Sequence, residues 1–599
     1  GCVERELKIP NYSAISGVDD EGRLLDAADI YESSDDIVQL RVTIIAPDSD
    51  GKCTADDGFG QEDYSGCTLE DVESDVNNND AFDPFVRAHF MAEDYPDDGL
   101  ESNASLSIRG HSSRYAAQKS FKIKLDKGLR KWRGQRNIQI NKHPYDPMRI
   151  TNKLSLDLLQ NVDNFISLRT TFVRLYIKNE DHEGRAGVAE QDFGLFTHVE
   201  RPNDDWLETR GHAKNTALWK TYNLMFYPPE MTPSLFKEID SRDFKRILKP
   251  IGVNKDNKDK GLLLEMLRAV NDCSSKSRVF YDSDFYPVFN NYFHPDNFRT
   301  WLAVNILLNH AWVGNGENII LYRREGDSRF YFLPWDYDGT WYGGIPLVEK
   351  LRPLPRWTKG ISNWWAMPLV RRYIQIPGEV EKLTKKVETI ASSAFLPEVI
   401  EAQLDDYPLD EISNILQSSP DREHILNEVD LDSEPAEVRR SLLNSLSSTV
   451  KSTELDYLDN IERPMPIKQW VKIRNGKLIA QWESSYDIQG DNIFYDVTLA
   501  SSYVKGSQSA LCNAQPGSPV RELSSHLKFQ RSVSNSPGEV QELELGEIEI
   551  GSYYLQIIVR DEKGYCQTAY DWPSYHNNMD RFGIYPFNYD GSYISSVWM

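Results

Sequence analysis

Residues 36–47, "DIVQLRVTIIAP", alternate polar with apolar, largely β-branched side chains and stop at a proline, which predicts a strand. In "KSFKIKL" (119–125) a period of two puts Phe121, Ile123 and Leu125 on one face and Ser120, Lys122 and Lys124 on the other. This run closes the segment 104–125, whose strand-like ends flank a Gly/Ser turn. Further on, "NKLSLDLLQNVDN" reads as a helix, and "TTFVRLYIKNE" and "FGLFTHVE" read as a pair of strands. "HPDNFRTWLAVNILLNHAW" (294–312) predicts a helix with Asp296 near its N-cap and Trp301, Val304 and Leu308 at helical spacing. "NIILYRREGDSRFYFLPWDYD" (318–338) predicts a hairpin turning at "EGD". Its second arm is the apolar run Phe330, Tyr331, Phe332, Leu333, which then delivers two acids, Asp336 and Asp338.

From 370 to 462 the pattern is helical, and these helices are expected to be peripheral. The proline-bearing "ERPMPIKQW" marks a boundary near 463. Beyond it, "GKLIAQWES", "IFYDVTLAS" and "QELELGEIEIGSYYLQIIVRDEKG" suggest a β-sandwich with Trp482 in its core. "GSYYLQIIVRD" resembles the Tyr-bearing strand of fibronectin type III modules. Residues 1–35 are polar and are expected to pack loosely on the domain that begins at 36, and 576–599 form an aromatic, Gly-rich tail.

A chain of 599 residues is too long for one core and predicts several domains. Its 40% apolar content argues against wholesale disorder. A net charge of -25 repels phosphate backbones and argues against nucleic acid as the main partner, though not against a local basic pocket. No apolar run is long enough to span a bilayer as a helix. The opening "GCVERELKIPNYS" matches a processed lipoprotein with one leading residue, so a lipid anchor on Cys2 is expected, with a cloning remnant as the alternative. Cys53 and Cys67 bracket an acidic loop, and Cys512 and Cys566 share the C-terminal β region. Two disulfides, a lipidated Cys2 and a leftover Cys273 fit an exported protein. The acidic stretch lacks EF-hand spacing; it reads as a solvated loop, with Ca²⁺ binding in 48–63 as the lesser reading.

Three segments carry chemistry. Arg109, Arg114, Lys119, Lys122 and Lys124 cluster about a "RGHSS" turn, where small residues let a backbone approach an anion. "NHAWVGNGEN" is an Asn/Gly-rich loop, and Asp336 and Asp338 end the apolar strand. Basic groups for phosphates with paired acids and an Asn for Mg²⁺ are the parts of phosphoryl transfer. The plainer reading is that the acids cap a turn and the cations solvate a strand face. "QDFGLF" contains the Asp-Phe-Gly of ordinary protein kinases but lacks the flanking kinase motifs, so Asp192 reads as a strand or turn residue. "NWWAM" (363–367) reads as core, with a carbohydrate platform as the weaker alternative.

"RGHSSRYAAQKSFKIKL", "NKLSLDLLQ", "SLRTTFVRLY", "DFGLFTHVERPNDDWL", "LWKTYN", "FRTWLAVNILLN", "GENIILYRREG" and "FLPWDYDGTW", in that order, resemble the CotH family of spore-coat-type atypical protein kinases. The resemblance runs over about 36–385 and implies an α+β protein. Its divergent protein-kinase-like core is followed by a helical extension (386–462) and an immunoglobulin/fibronectin-like sandwich (463–575). It implies Mg-ATP binding and phosphorylation of extracytoplasmic protein Ser/Thr by an exported protein at the bacterial cell surface or in the periplasm. By the same resemblance Lys119 is the phosphate-binding lysine, with Arg109 and Lys122 as helpers. Glu200 positions a lysine, Asn318 lies near the metal, Asp336 is the main Mg²⁺ ligand and Asp338 assists. The family's catalytic Asp at the end of helix 294–312 is missing, since Asn309, His310 and Ala311 stand there. His310 or Glu317 is then the candidate base; the alternative is an inactive kinase-like surface scaffold or adhesion protein.

Overall fold

A computed structural model describes residues 9–31, 36–54, 62–76, 82–179, 190–212, 216–251, 260–271, 284–310, 316–341, 359–429, 435–504, 522–523, 526–569 and 583–596. Strands β1 (Val38–Ile44), β2 (Val86–Ala92), β3 (Ala104–Arg109), β4 (Ser120–Leu125), β5 (Asn137–Asn141), β6 (Thr170–Asn179) and β7 (Gln191–Val199) close into a barrel ordered β1-β2-β3-β4-β5-β7-β6. The parallel pair β1–β6, with Leu40 opposite Leu175, closes the ring and leaves no open edge. The alternation along "KSFKIKL" holds, with Phe121, Ile123 and Leu125 in the barrel's apolar filling. Asp192 lies on β7, paired with Arg174 at 2.5 Å, as the strand reading expects.

A second sheet has the order β11-β10-β8-β9, with β8 (Ala217–Thr221), β9 (Leu248–Pro250), β10 (Ile320–Arg323) and β11 (Tyr331–Leu333). Here the predicted hairpin forms, with Ile320 opposite Leu333. The helix Pro295–Leu307 backs it, and Trp301 stacks on Phe332 with ring centroids 4.3 Å apart. Asp296 lies near the N-cap, as expected, in the first turn, and the cap itself is His294: its ring accepts from Asn297 N, and Pro295 takes the first helical position. Asp296 meets Lys386 at 2.7 Å. The helix stops before the predicted 312 because Asn309 turns left-handed, with φ 54.

Two expectations about packing change. Tyr12, Val18 and Leu24 are buried in the main core, so the described N-terminal residues are not loosely attached. Nor are the helices beyond 370 peripheral. Leu383 and Val387 of helix Glu379–Ala391 bury against helix Pro295–Leu307 in the same core as Phe332. Trp364 and Trp365 are buried too, which removes them as a sugar platform. A buried ion pair, Lys142 Nζ to Asp421 Oδ1 at 2.7 Å, joins the barrel to this helical region.

The C-terminal part is two antiparallel sheets. Strands Gln469–Arg474, Lys477–Glu483 and Val540–Gly546 form one. Strands Ile493–Ala500, Leu527–Ser534, Gly551–Asp561, Ile584–Tyr589 and Ile594–Ser596 belong to the other. Both contribute to one apolar cluster, with Trp482 fully buried within it. The chain is thus mixed α/β with separate C-terminal antiparallel sheets. Cys53 and Cys67 form a disulfide and Cys566 is disulfide-bonded, whereas Cys2, Cys273 and Cys512 lie outside the described residues. Among the described residues no helix is long and apolar enough to cross a membrane.

Candidate functional site

The hairpin's second arm ends at Leu333, and Pro334 and Trp335 turn the chain toward the junction of barrel and second sheet. Asp336 comes next, in the left-handed region, with φ 56 and ψ 72. A non-glycine residue there is uncommon and is held only by its surroundings. The Tyr337 amide donates to Asn152 Oδ1 at 2.8 Å, and Thr151 Oγ1 donates to the Asp338 carbonyl at 3.3 Å. Both partners sit at the start of helix Thr151–Leu159. Tyr337 Oη donates to Asn305 Oδ1 at 3.0 Å from helix Pro295–Leu307.

This places the two acids together. Asp336 and Asp338 are in hydrogen-bonding contact, and burial together with Asp338 pushes the Asp336 carboxyl up to about 7. Burial also raises Asp338, whose Oδ2 lies 3.5 Å from His143 Nδ1. Two carboxylates this close at neutral pH hold a shared proton or a cation between them. Glu317 joins them from the loop before β10: burial and then Asp336 push its carboxyl up to about 7. Asn318, with φ 58, lies between Glu317 and β10.

Arg109 and Lys220 interact with Asp336, and a set of cations from both sheets continues from them. Arg109 ends β3, Lys122 lies in β4, Arg201 comes just after β7, Lys220 is in β8 and Lys249 in β9. All five are partly exposed. Burial lowers each, and for Arg109, Lys122, Lys220 and Lys249 neighbouring cations, Arg201 among them, lower it further. Lys220 falls to about 7, opposed by Asp336, and Arg109 to about 10. Lys220 Nζ lies 4.6 Å and Arg109 Cζ 6.0 Å from the Trp335 ring centroid. Arg109 also donates to Asn141, and Lys122 meets Asp83 at 3.6 Å. Among the described residues Arg201, Lys220 and Lys249 have no carboxylate within ion-pair distance. More cations than nearby carboxylates leave this region positive, which suits a polyanion.

The structure therefore brings together Arg109, Lys122, Glu317, Asp336 and Asp338, with Asn318 alongside, and separates the rest. Lys119 donates to the Arg114 carbonyl at 2.6 Å and lies near Glu73; no described contact links it to Asp336. Glu200 is fully buried between Arg169 (2.7 Å) and Arg210 (2.8 Å), so it positions arginines rather than a lysine. His310 is 1% exposed, its Nε2 3.4 Å from the Trp335 carbonyl and its ring on Tyr337. Burial lowers it to about 4, so it is neutral beneath the acids. In the acidic loop, Asp63 accepts from the Lys52 and Ser65 amides, while 55–61 lie outside the described residues. Sequence reasoning missed Lys220, Arg201 and Lys249. The signal for Lys220 was its place inside "LWKTYN" on an otherwise buried strand.

The profile of the family described as "CotH kinase protein" matches residues 106–459, more than half of the chain. The chain is 25% identical over 242 residues to Inner spore coat protein H of Bacillus subtilis (strain 168). That match covers 39% of this chain and spans 58% of the relative's length. Extending from β3 through the Asp336 turn to the helices that share its core, the matched region identifies this chain as a member of the CotH kinase family.

Proposed function

We propose that the chain is a Mg²⁺-dependent ATP:protein Ser/Thr kinase, with the barrel and second sheet as the two sides of a kinase-like core. The observation that carries this reading is the coupled pair Asp336 and Asp338 with Arg109 and Lys220 beside it, the basic residues of both sheets continuing from them. Lys220, Arg109 and Arg201 neutralise and orient the phosphates, with Lys122 and Lys249 extending the basic wall. Asp336 and Asp338 would hold Mg²⁺, with Asn318 close by. The ion, when bound, offsets negative charge on the phosphates.

Glu317 supplies the base. Its carboxyl titrates near neutral pH and lies in the cleft, whereas His310 is buried beneath it. Glu317 accepts the proton of the substrate hydroxyl as that oxygen bonds to the γ-phosphorus. The bond from phosphorus to the ADP oxygen breaks, and its electrons leave with ADP. The spore-coat relative supports a surface or extracellular location; an exported protein with a lipid anchor on Cys2 and a protein substrate at the surface is part of the same proposal. The C-terminal sheets are read as a fibronectin-like module.

The test is calorimetric titration of ATP with and without Mg²⁺ into wild type, Asp336→Ala and Lys220→Met, followed by phosphotransfer assays on wild type and Glu317→Gln. Mg²⁺-dependent binding lost in Asp336→Ala, and transfer lost in Glu317→Gln with binding retained, are expected. Absence of nucleotide binding in wild type would sink this reading. Binding without transfer would favour an inactive scaffold, a reading drawn from the missing Asp at the end of the helix.

A further inference from the structure

We propose that Asp487, Asp491 and Asp561 form a calcium site at the root of the C-terminal β module. The loop 484–492 leads from strand Lys477–Glu483 in one sheet to strand Ile493–Ala500 in the other, and Asp561 ends strand Gly551–Asp561. Two separate turns thus deliver three carboxylates to one place. One oxygen of each lies within 4.8 Å of those of the other two. Ligands bound at about 2.4 Å from a common cation can stand no farther apart than that.

The two buried acids divide their oxygens. Asp487 Oδ1 accepts from the amides of Gln489 and Asp491, each at 3.0 Å. Asp561 Oδ1 accepts from the amides of Lys563 (3.0 Å) and Tyr565 (2.9 Å). Each turn therefore fixes its own Oδ1 and leaves Oδ2 for the centre. Asp487 is 5% and Asp561 4% exposed, and neither Oδ2 has a hydrogen-bond partner among the described residues. A buried carboxylate oxygen without a donor is costly, and a cation removes the cost.

Charge points the same way. Lys563 Nζ lies 3.0 Å from Asp491 Oδ2, but its side chain is 53% exposed. Three carboxylates against one ammonium leave two negative charges. The nearby Arg463 is engaged with Asp459 at 2.9 Å. The donors are all oxygens carried on irregular turns, which suits Ca²⁺; Mg²⁺ demands a near-ideal octahedron and Zn²⁺ prefers nitrogen and sulfur.

The same turns hold the module to the rest of the chain. Met465 N donates to the Tyr486 carbonyl at 2.9 Å, and Gln489 Nε2 to the Ile461 carbonyl at 2.7 Å. Tyr486 stacks on Trp365, and Arg463 Nη1 donates to the Cys566 carbonyl at 2.9 Å. An ion joining the two turns would fix the module against the end of helix Pro435–Ile461. The site is independent of the Asp336 cleft.

The full chain, stripped with EGTA, is titrated with CaCl₂ by calorimetry, and its thermal unfolding is recorded with and without calcium. Asn at 487 and 561 keeps Oδ1 for the turn amides and removes only charge. Calcium binding and a calcium-induced rise in Tm are expected in wild type and in Asp336→Asn. Both should vanish in Asp487→Asn/Asp561→Asn, and Asp491→Asn should bind about tenfold more weakly. Should the double variant fail to fold, the partly exposed Asp491→Asn decides the matter. No calcium binding by wild type, or binding unchanged in the loop variants, would overturn the proposal.

Discussion

Asp336 combines two costs, a left-handed backbone and a carboxyl raised to about 7. That shift sets the sign of its pH effect. Its folded value stands above the unfolded value of about 3.9, so between about pH 4 and 7 the folded state binds the extra proton. The penalty of ionising it is absent below that window and complete above it. Asp336→Asn should therefore raise the stability of the metal-free protein at pH 8 by about 1–2 kcal/mol, allowing for partial exposure, with no gain near pH 4. Urea unfolding at the two pH values checks this, and equal gains at both would contradict it. The same proton competes with Mg²⁺. Affinity for the ion should fall by about tenfold per pH unit below 7 and level off above it, measured by titration from pH 6 to pH 8. A flat profile would show that Asp336 does not hold the ion. "PWDYD" announced these acids, but the coupling between them depends on a turn conformation no pattern specifies.

At the scale of elements, the Asp336 turn is only as rigid as the helix beneath it. Asn152→Ala would leave the buried Tyr337 amide without its acceptor, a loss of about 1–3 kcal/mol. Mg²⁺ affinity should fall although no charge is removed; chemical denaturation and ion titration on one sample read both effects, and unchanged affinity would mean that the turn holds itself. Gly194 on β7 makes a second case. It has φ +81, and a Cβ there would stand 2.3 Å from the Asp421 carboxylate. Gly194→Ala should cost about 3 kcal/mol or more in thermal unfolding, since strain and a clash with backbone-fixed groups add. Period-two alternation made β1 and β4 readable in advance. Asp296 falls in the first turn near the cap, as read in advance, while the cap itself, His294, is a residue type that the pattern does not single out.

Across the whole molecule, the pair Lys142–Asp421 links the barrel to the helical region. Both side chains are almost wholly buried, and burial lowers Lys142 to about 8 against the opposing pull of Asp421. Asp421→Asn leaves a buried ammonium without its counter-charge and should cost about 3–5 kcal/mol. Lys142→Met/Asp421→Asn should cost less than the sum of the single variants, because the second change removes the stranded charge. Additive single and double effects in urea unfolding would mean that the pair is not coupled. This contact ties the helical region to the end of β5, while apolar packing around Phe332 places the helices beyond 370 in the main core.

By itself, the chain's pattern determined the barrel strands with clear alternation, the 318–338 hairpin, the helical stretch after 370, the β-rich C-terminus and the family, through motifs that keep their order. These are local or linear properties, and periodicity records them directly. What only the tertiary structure decided are the partners. Lys220 rather than Lys119 faces Asp336, because β8 lies beside β10 while Lys119 sits on a loop that turns to the Arg114 carbonyl. Glu200 meets arginines, His310 sinks beneath Trp335, and the aspartates at 487, 491 and 561 converge from turns some 70 residues apart. Which charges meet across a fold depends on how sheets are ordered and helices docked, and long-range pairing leaves no period in the sequence.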